Sequence, residues 1–179
     1  MRALLIGRFH AVTAEQARWI AALGVDGDVD EIVCVITSAD HGGTRRNPLD
    51  RATRAALLTP ELAATGKPYY LVEVHDIPDD AAWVAHVEAQ IAGTLAIRLS
   101  PSDTLVHSAN HAVQALFAAA GYAIASQAIV GPTPHELLQR IVEGKPWAEL
   151  ASAATRALFE GAGERDKLRA ILADTLRTE

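Results

Sequence analysis

Two short runs in the chain combine residue types that open a helix with types that meet an anion. Thr13-Ala-Glu-Gln16 and Thr133-Pro-His-Glu136 fit the capping-box pattern. In it the threonine hydroxyl accepts from the amide three residues on, and the Gln or Glu side chain reaches back to the threonine amide. Pro134 falls at the first helical position, where its missing N–H costs nothing. Helix starts are natural anion sites, because their unpaired amides and the helix dipole both favour negative charge. Here the chain's own side chains are expected to fill the amides, and the Glu15 and Glu136 carboxylates oppose an incoming anion. Arg8, Arg45, Arg46, Arg54 and Arg140 are the cations available to offset that opposition. His10 and His135, at the same two runs, are either substitute ligand contacts or solvated loop histidines.

Other constellations are thinner. His107 and His111 stand four apart, but a strand-to-helix boundary between them breaks the helical geometry a shared metal needs, so no metal ligand is assigned. Asp40-His41 could support hydrolytic chemistry, although no nucleophile or orienting partner is placed by spacing alone. Asp79-Asp80 reads as a helix N-cap. Cys34 lies in an apolar run, so a buried thiol in a reducing, cytoplasmic setting is expected.

Composition narrows the classes. Of 179 residues, 16 are Lys or Arg and 22 Asp or Glu, a net charge of −6 without a dense basic run. Broad electrostatic binding to nucleic acid or an anionic membrane is therefore not expected. Half the residues are hydrophobic, which excludes a disordered chain. No apolar stretch is long enough to span a bilayer.

The elements that must position these residues alternate. Residues 2–6, 31–37, 69–75, 104–107 and 122–126 read as strands, and residues 14–23, 51–58, 80–91 and 110–120 as helices. Gly24 and Gly121 are placed to stop the first and fourth helices. Alternation of this kind forces parallel pairing with right-handed crossovers, so the fold class is α/β, a Rossmann-like parallel sheet flanked by helices. Residues 134–177 read as helical, with Leu168, Ile171, Leu172 and Leu176 on one stripe. One domain is expected, residues 1–130 as sheet core and 131–179 as a helical C-terminal part. Ligands of such sheets sit beyond the carboxyl ends of the strands, which selects the loops at 7–13, 37–47, 75–80, 107–110 and 130–135.

Gly7-Arg8-Phe9 resembles the opening of the motif G-R-F-Q-P-F-H-x-G-H of archaeal-type nicotinamide mononucleotide (NMN) adenylyltransferases. The likeness continues in order through Val29-Asp-Glu-Ile-Val33, Thr37-Ser-Ala39, Asn47-Pro48 with Arg54, Asp76-Ile77 and Trp83-Val84. It then runs through Ser108 with Asn110, Gly121-Tyr122, and Gly144 with Trp147. The resemblance implies a nucleotidyltransferase fold, a homo-oligomer, and transfer of AMP from ATP to NMN with Mg²⁺, giving NAD and pyrophosphate. It also implies nucleotide contacts at Gly7, Phe9, Ser38, Asn47, Arg54, Asp76, Ile77, Asn110 and Thr133, and Arg8, Thr13, Gln16, His10, His135 and Arg140 are the catalytic candidates. Trp83 would accept the nicotinamide ring, where an indole face suits a flat cation, or would simply pack against the sheet. Asn47-Pro48 would shape the ligand loop or serve a local structural role.

The motif is degenerate at the positions that handle phosphate. Thr13 and Gln16 stand at its two histidine places and Glu15 replaces the glycine between them. Where the family resembles S-x-T-x-x-R, the arginine is Leu138, with Arg140 two residues on, and a further expected arginine is Gln114. Adenylyl transfer depends on positioning and on neutralising charge that develops on phosphate oxygens. Transfer is therefore expected to be weakened or altered. The alternatives are a pocket turned to dinucleotide hydrolysis or another acceptor, and a non-catalytic NMN- or NAD-binding homologue.

Overall fold

A computed structural model describes residues 1–125 and 130–174. Its core is one five-stranded sheet, all parallel, in the order β3-β2-β1-β4-β5. The strands are β1 (Arg2–Gly7), β2 (Glu31–Ile36), β3 (Tyr69–Glu73), β4 (Thr104–His107) and β5 (Ala123–Ile124). The helices are α1 (Ala14–Val25), α2 (Arg51–Ala63), α3 (Trp83–Leu95), α4 (His111–Ala119), α5 (Pro134–Val142), α6 (Ala153–Glu160) and α7 (Ala162–Ala173). Among the described residues no helix is long and apolar enough to cross a membrane.

β1 sits at the centre, and its continuous apolar run follows from burial on both faces. Leu4 and Ile6 join Val33, Val35, Val87 and Phe117 on the face covered by α3 and α4. Ala3 and Leu5 join Cys34, Ile20, Leu58 and Leu62 on the face covered by α1 and α2. The Cys34 thiol is fully buried there, and desolvation raises its pKa. The chain winds outward from β1 through β2 to β3, then returns to β4 on the other side of β1. The order thus reverses between β1 and β4, and the crevice beyond their carboxyl ends is where this architecture receives ligands.

Several boundaries differ from the sequence expectation. α1 runs through Gly24 to Val25. A Cβ at Gly24 would lie 2.6 Å from the Thr65 carbonyl oxygen, so that glycine permits close backbone approach and does not stop the helix. α2 continues past residue 58, through Pro60, because Leu62 is fully buried on its inner face. Residues 80–82 form a short 3₁₀ turn before α3, capped by the Asp79 carboxylate at 2.9 Å from the Ala81 amide. Gly121 does end α4. At φ +89° it lets its own amide bond Ala118 and the Tyr122 amide bond the Phe117 carbonyl at 3.0 Å, the paired bonds of a Schellman stop. β5 is shorter than expected, and Ser126 and Leu176 lie outside the described residues.

The C-terminal part is three helices, with Leu137, Leu138, Ile141, Phe159 and Leu168 packed round Ala11 in a third apolar cluster. That packing anchors the loop after β1. The fully buried Thr155 hydroxyl accepts from the Val12 amide at 2.9 Å and donates to the Val12 carbonyl at 3.0 Å. The Ser152 amide donates to the same carbonyl at 2.9 Å. The start of α1 is therefore held from the C-terminal helices as well as from the sheet.

Candidate functional site

A cavity of about 820 Å³ opens at the reversal point, within the range that takes a nucleotide-sized ligand. Four of the five loops selected from the sequence reach it, through residues such as Arg8, Arg45, Ser108 and Thr133. The loop at 75–80 does not line it among the described residues.

Both capped helix starts face this one cavity. At α1 the Gln16 amide donates to Thr13 Oγ1 at 3.1 Å and the Thr13 amide to Gln16 Oε1 at 3.0 Å. Glu15 is ion-paired with Arg18 on the next turn. At α5 the Glu136 amide donates to Thr133 Oγ1 at 3.2 Å, and Glu136 Oε2 accepts from the Thr133 amide at 2.7 Å. That amide holds the Glu136 pKa below its ordinary value. The side chains that complete the caps occupy donors an oxyanion would use. Leu138, the expected arginine position, also lines the cavity with its side chain committed to the third cluster.

The cations divide into two groups. Arg8, Arg45 and Arg46 line the cavity. The last two sit in a tight turn closed by Thr44 Oγ1 accepting from the Asn47 amide at 3.0 Å and Asn47 O accepting from the Thr44 amide at 3.2 Å. Arg54 and Arg140, both expected to meet ligand, do not line it among the described residues. Arg140 Nη1 lies 3.5 Å from the Pro146 carbonyl on the exposed side of α5. Arg54 is fully buried and is a clamp. Its Nη1 donates to Thr37 O at 2.8 Å and Arg8 O at 3.3 Å, and its Nη2 to Ser38 O at 2.9 Å and His41 O at 3.1 Å. The planar fork thus ties the loop after β1 to the loop after β2, a task suited to its five fixed donors. Burial lowers its pKa.

His10 and Asn47 form another internal brace. The Leu49 amide donates to His10 Nδ1 at 3.4 Å, which leaves Nε2 to donate to Asn47 Oδ1 at 3.1 Å. Burial pushes the His10 pKa down to about 3, so the ring is neutral at pH 7 and supplies no cation, contrary to the role considered from sequence. His135 stays exposed on the cavity wall, 3.3 Å from Gln139 Nε2. Gly7, Phe9 and Asn110 line the cavity too. Asn110 caps α4 through the Ala112 amide at 2.9 Å, and Phe9 adopts φ +54°. Gln114, where an arginine was expected, donates to the Ser108 carbonyl at 2.6 Å and fixes that loop.

The expected ring contacts lie elsewhere. Trp83 is 9 % exposed, packs edge-on against Phe117 at 6.0 Å and belongs to the core, the packing alternative that the sequence left open. Ile77 packs against the same core, and Asp76 is exposed beside Asp40 and His41. Asp76 supplies the partner that the Asp40-His41 pair lacked in sequence. His41 Nε2 is 3.4 Å from Asp40 and 4.0 Å from Asp76, a grouping of metal-ligand types outside the cavity lining. His107 and Trp19 line the cavity and were not singled out from sequence as ligand contacts. The available signal was a polar ring ending an otherwise apolar strand at the reversal point.

These features define a Rossmann-like α/β architecture with a ligand cavity at its reversal point. No family model matches the chain. It is 30 % identical over 153 residues to the nicotinamide-nucleotide adenylyltransferase of Methanococcus aeolicus, covering 84 % of this chain and 83 % of that one. It is 31 % identical over 156 residues to that of Pyrococcus furiosus, covering 83 % and 77 %. The chain belongs to the nicotinamide-nucleotide adenylyltransferase family. In structure it is similar to a bifunctional NMN adenylyltransferase/ADP ribose pyrophosphatase from Francisella tularensis, crystallised with AMP and a manganese ion. The TM-score is 0.72 at 11 % identity, covering 96 % of this chain and about half (52 %) of that one.

Proposed function

We propose that this chain binds a pyridine nucleotide, NMN or NAD, in the β1/β4 cavity and transfers AMP from ATP to NMN slowly. In that reaction an NMN phosphate oxygen attacks the α-phosphorus of ATP, the bond to pyrophosphate breaks, and NAD and pyrophosphate leave. Arg8, Arg45 and Arg46 are the cavity cations that would neutralise the phosphates. The observation that carries the reduced rate is that at both helix starts facing the cavity two amides, at the N-cap and three residues on, are already taken by the capping boxes of Thr13 with Gln16 and Thr133 with Glu136. One lost preorganised donor costs about 3–4 kcal/mol of transition-state stabilisation, so two losses slow transfer by about four to six orders of magnitude.

A divalent ion is part of the family's chemistry, as Mg²⁺ on the resemblance. The cavity carboxylates do not form a cage for one: Glu15 is paired with Arg18, and Asp26 caps the far end of α1, about 16 Å along the helix. An ion would therefore arrive on the triphosphate itself, as Mg²⁺ commonly does. Cytoplasmic location, read from the lone buried Cys34, and homo-oligomeric assembly, which rests on the resemblance, belong to the same reading.

Incubation with ATP, Mg²⁺ and NMN, followed by chromatography for NAD, tests the proposal. Trace NAD is expected from the native chain, and at least about 10⁴-fold more from a Gln16→His, Leu138→Arg double variant, which returns a donor at both places. Turnover of about 10 s⁻¹ by the native chain, an ordinary enzyme rate, would overturn it.

A further inference from the structure

Asp40, His41 and Asp76 lie outside the cavity lining and take no part in the proposed transfer. They come from two loops, Asp40 and His41 from the one after β2 and Asp76 from the one after β3. One atom of each, a carboxylate oxygen or an imidazole nitrogen, falls within 4.8 Å of the other two. His41 Nε2 is the shared vertex, 3.4 Å from Asp40 Oδ2 and 4.0 Å from Asp76 Oδ2. Both distances exceed those of ordinary N–H···O hydrogen bonds. They suit a different partner. Two ligands each about 2.05 Å from a tetrahedral ion stand about 3.4 Å apart. The His41–Asp40 pair already has that spacing. The 4.0 Å pair needs about 0.6 Å of closure, and the widest separation, 4.8 Å, at most about 1.4 Å. Rotation of two part-exposed carboxylates supplies movements of that size.

The backbone beneath these side chains is held in place. The buried Arg54 fork takes Ser38 O at 2.9 Å and His41 O at 3.1 Å, and the Ala39 amide donates to Val74 O at 3.1 Å. The Asp76 amide donates to Asp40 Oδ1 at 3.4 Å, which ties the two loops together and leaves Asp40 Oδ2 facing His41. An ion would meet groups already gathered, and its charge would offset the repulsion between the two carboxylates. The donor set also selects the ion. Mg²⁺ and Ca²⁺ take oxygen ligands throughout, whereas an imidazole among carboxylates suits zinc and its transition-metal neighbours. Three protein ligands leave a fourth tetrahedral position open to water.

We propose that Asp40, His41 and Asp76 bind a divalent transition-metal ion of the zinc class, which joins the loop after β2 to the loop after β3. This ion is separate from the Mg²⁺ that travels on a triphosphate, and the site does not depend on what the cavity binds. The loop it pins continues into Thr44-Arg-Arg-Asn47, the turn that carries Arg45 and Arg46. The ion therefore fixes the start of the segment that brings two cations to the cavity.

Titration of the full chain, first stripped of metal with a chelator, tests it, with Zn²⁺ in a calorimeter and Co²⁺ in a spectrophotometer. One Zn²⁺ per chain is expected, and Co²⁺ should give the visible bands of a tetrahedral site and be displaced by Zn²⁺. His41→Ala and Asp76→Asn should each weaken Zn²⁺ by about 100-fold or more, since losing a group that merely orients a ligand already costs about 10–100-fold. Both should abolish the Co²⁺ bands. His111→Ala, which removes an exposed imidazole on α4, should change neither readout. Zn²⁺ should raise the thermal midpoint of the native chain and leave that of Asp76→Asn where it is. Circular dichroism without metal shows that each variant is folded. A native chain that binds no Zn²⁺ overturns the proposal. Zn²⁺ binding that survives in folded His41→Ala and Asp76→Asn overturns it too, because the ion is then held by other surface groups, as does binding lost in His111→Ala.

Discussion

Replacing Arg54 by Met should cost the protein about 4 kcal/mol of stability and loosen the cavity at the same time. The guanidinium is fully buried and holds four carbonyls, two of them closely, Thr37 O at 2.8 Å and Ser38 O at 2.9 Å. Hydrogen bonds to charged groups contribute about 1.5–3 kcal/mol each, so the two short ones account for about 4 kcal/mol. The two longer contacts roughly offset the relief of removing a desolvated charge whose Nε has no partner among the described residues. For 179 residues at about 2.1 cal/mol/K each, the unfolding entropy is about 0.38 kcal/mol/K, which converts the loss to a midpoint about 10 °C lower. Differential scanning calorimetry reads the shift. Arg54→Lys should recover less than half of it, because one ammonium cannot span the fork. A drop under about 3 °C for Arg54→Met would refute the clamp, since it would mean the four carbonyls find equivalent partners without it.

Stability should fall on mild acidification. His10 and His107 are held neutral, at about 3 and about 4, below the ordinary 6.5, so the unfolded chain binds more protons between those values. Their contribution is complete above about pH 6.5 and is lost as pH falls toward 4, at close to two protons or about 2.5 kcal/mol per pH unit near pH 5. Urea unfolding across this range checks the slope, and His107→Leu should remove about half of it. Trp83→Ala should lower stability by about 3–4 kcal/mol, as expected for a truncated core aromatic, while NMN affinity in the folded variant stays within about twofold of native. A much larger affinity loss would restore Trp83 as a ligand platform.

The fold was legible because its signals are strong and local. Continuous apolar runs at residues 2–6 and 31–36 require burial on both faces, and their alternation with helices leaves few topologies. The two capping boxes were legible for the same reason, since Thr13 with Gln16 and Thr133 with Glu136 interact over a single turn. Long-range polar packing was not legible. Arg54 read as a ligand contact because the family resemblance places it with Asn47-Pro48, and only the folded backbone shows four carbonyls converging on it. His10 was obscured in the same way by Asn47, 37 residues away, and Trp83 by Phe117. Gly24 imitated a helix stop because its actual constraint, the Thr65 carbonyl, comes from a different element. His107 was weighed only against His111, whereas the neighbour that matters is Trp19 on α1.

The central claim is that a nucleotide cavity persists here while its hold on polyphosphate is reduced by helix starts capped from within. Calorimetric comparison of AMP with ATP in Mg²⁺ isolates that hold, because the two ligands differ only in the added phosphates. Self-capped starts predict that ATP binds no more than about tenfold tighter than AMP, a gain of about 1.4 kcal/mol. ATP binding about a thousandfold tighter than AMP, a gain of about 4 kcal/mol, would contradict it.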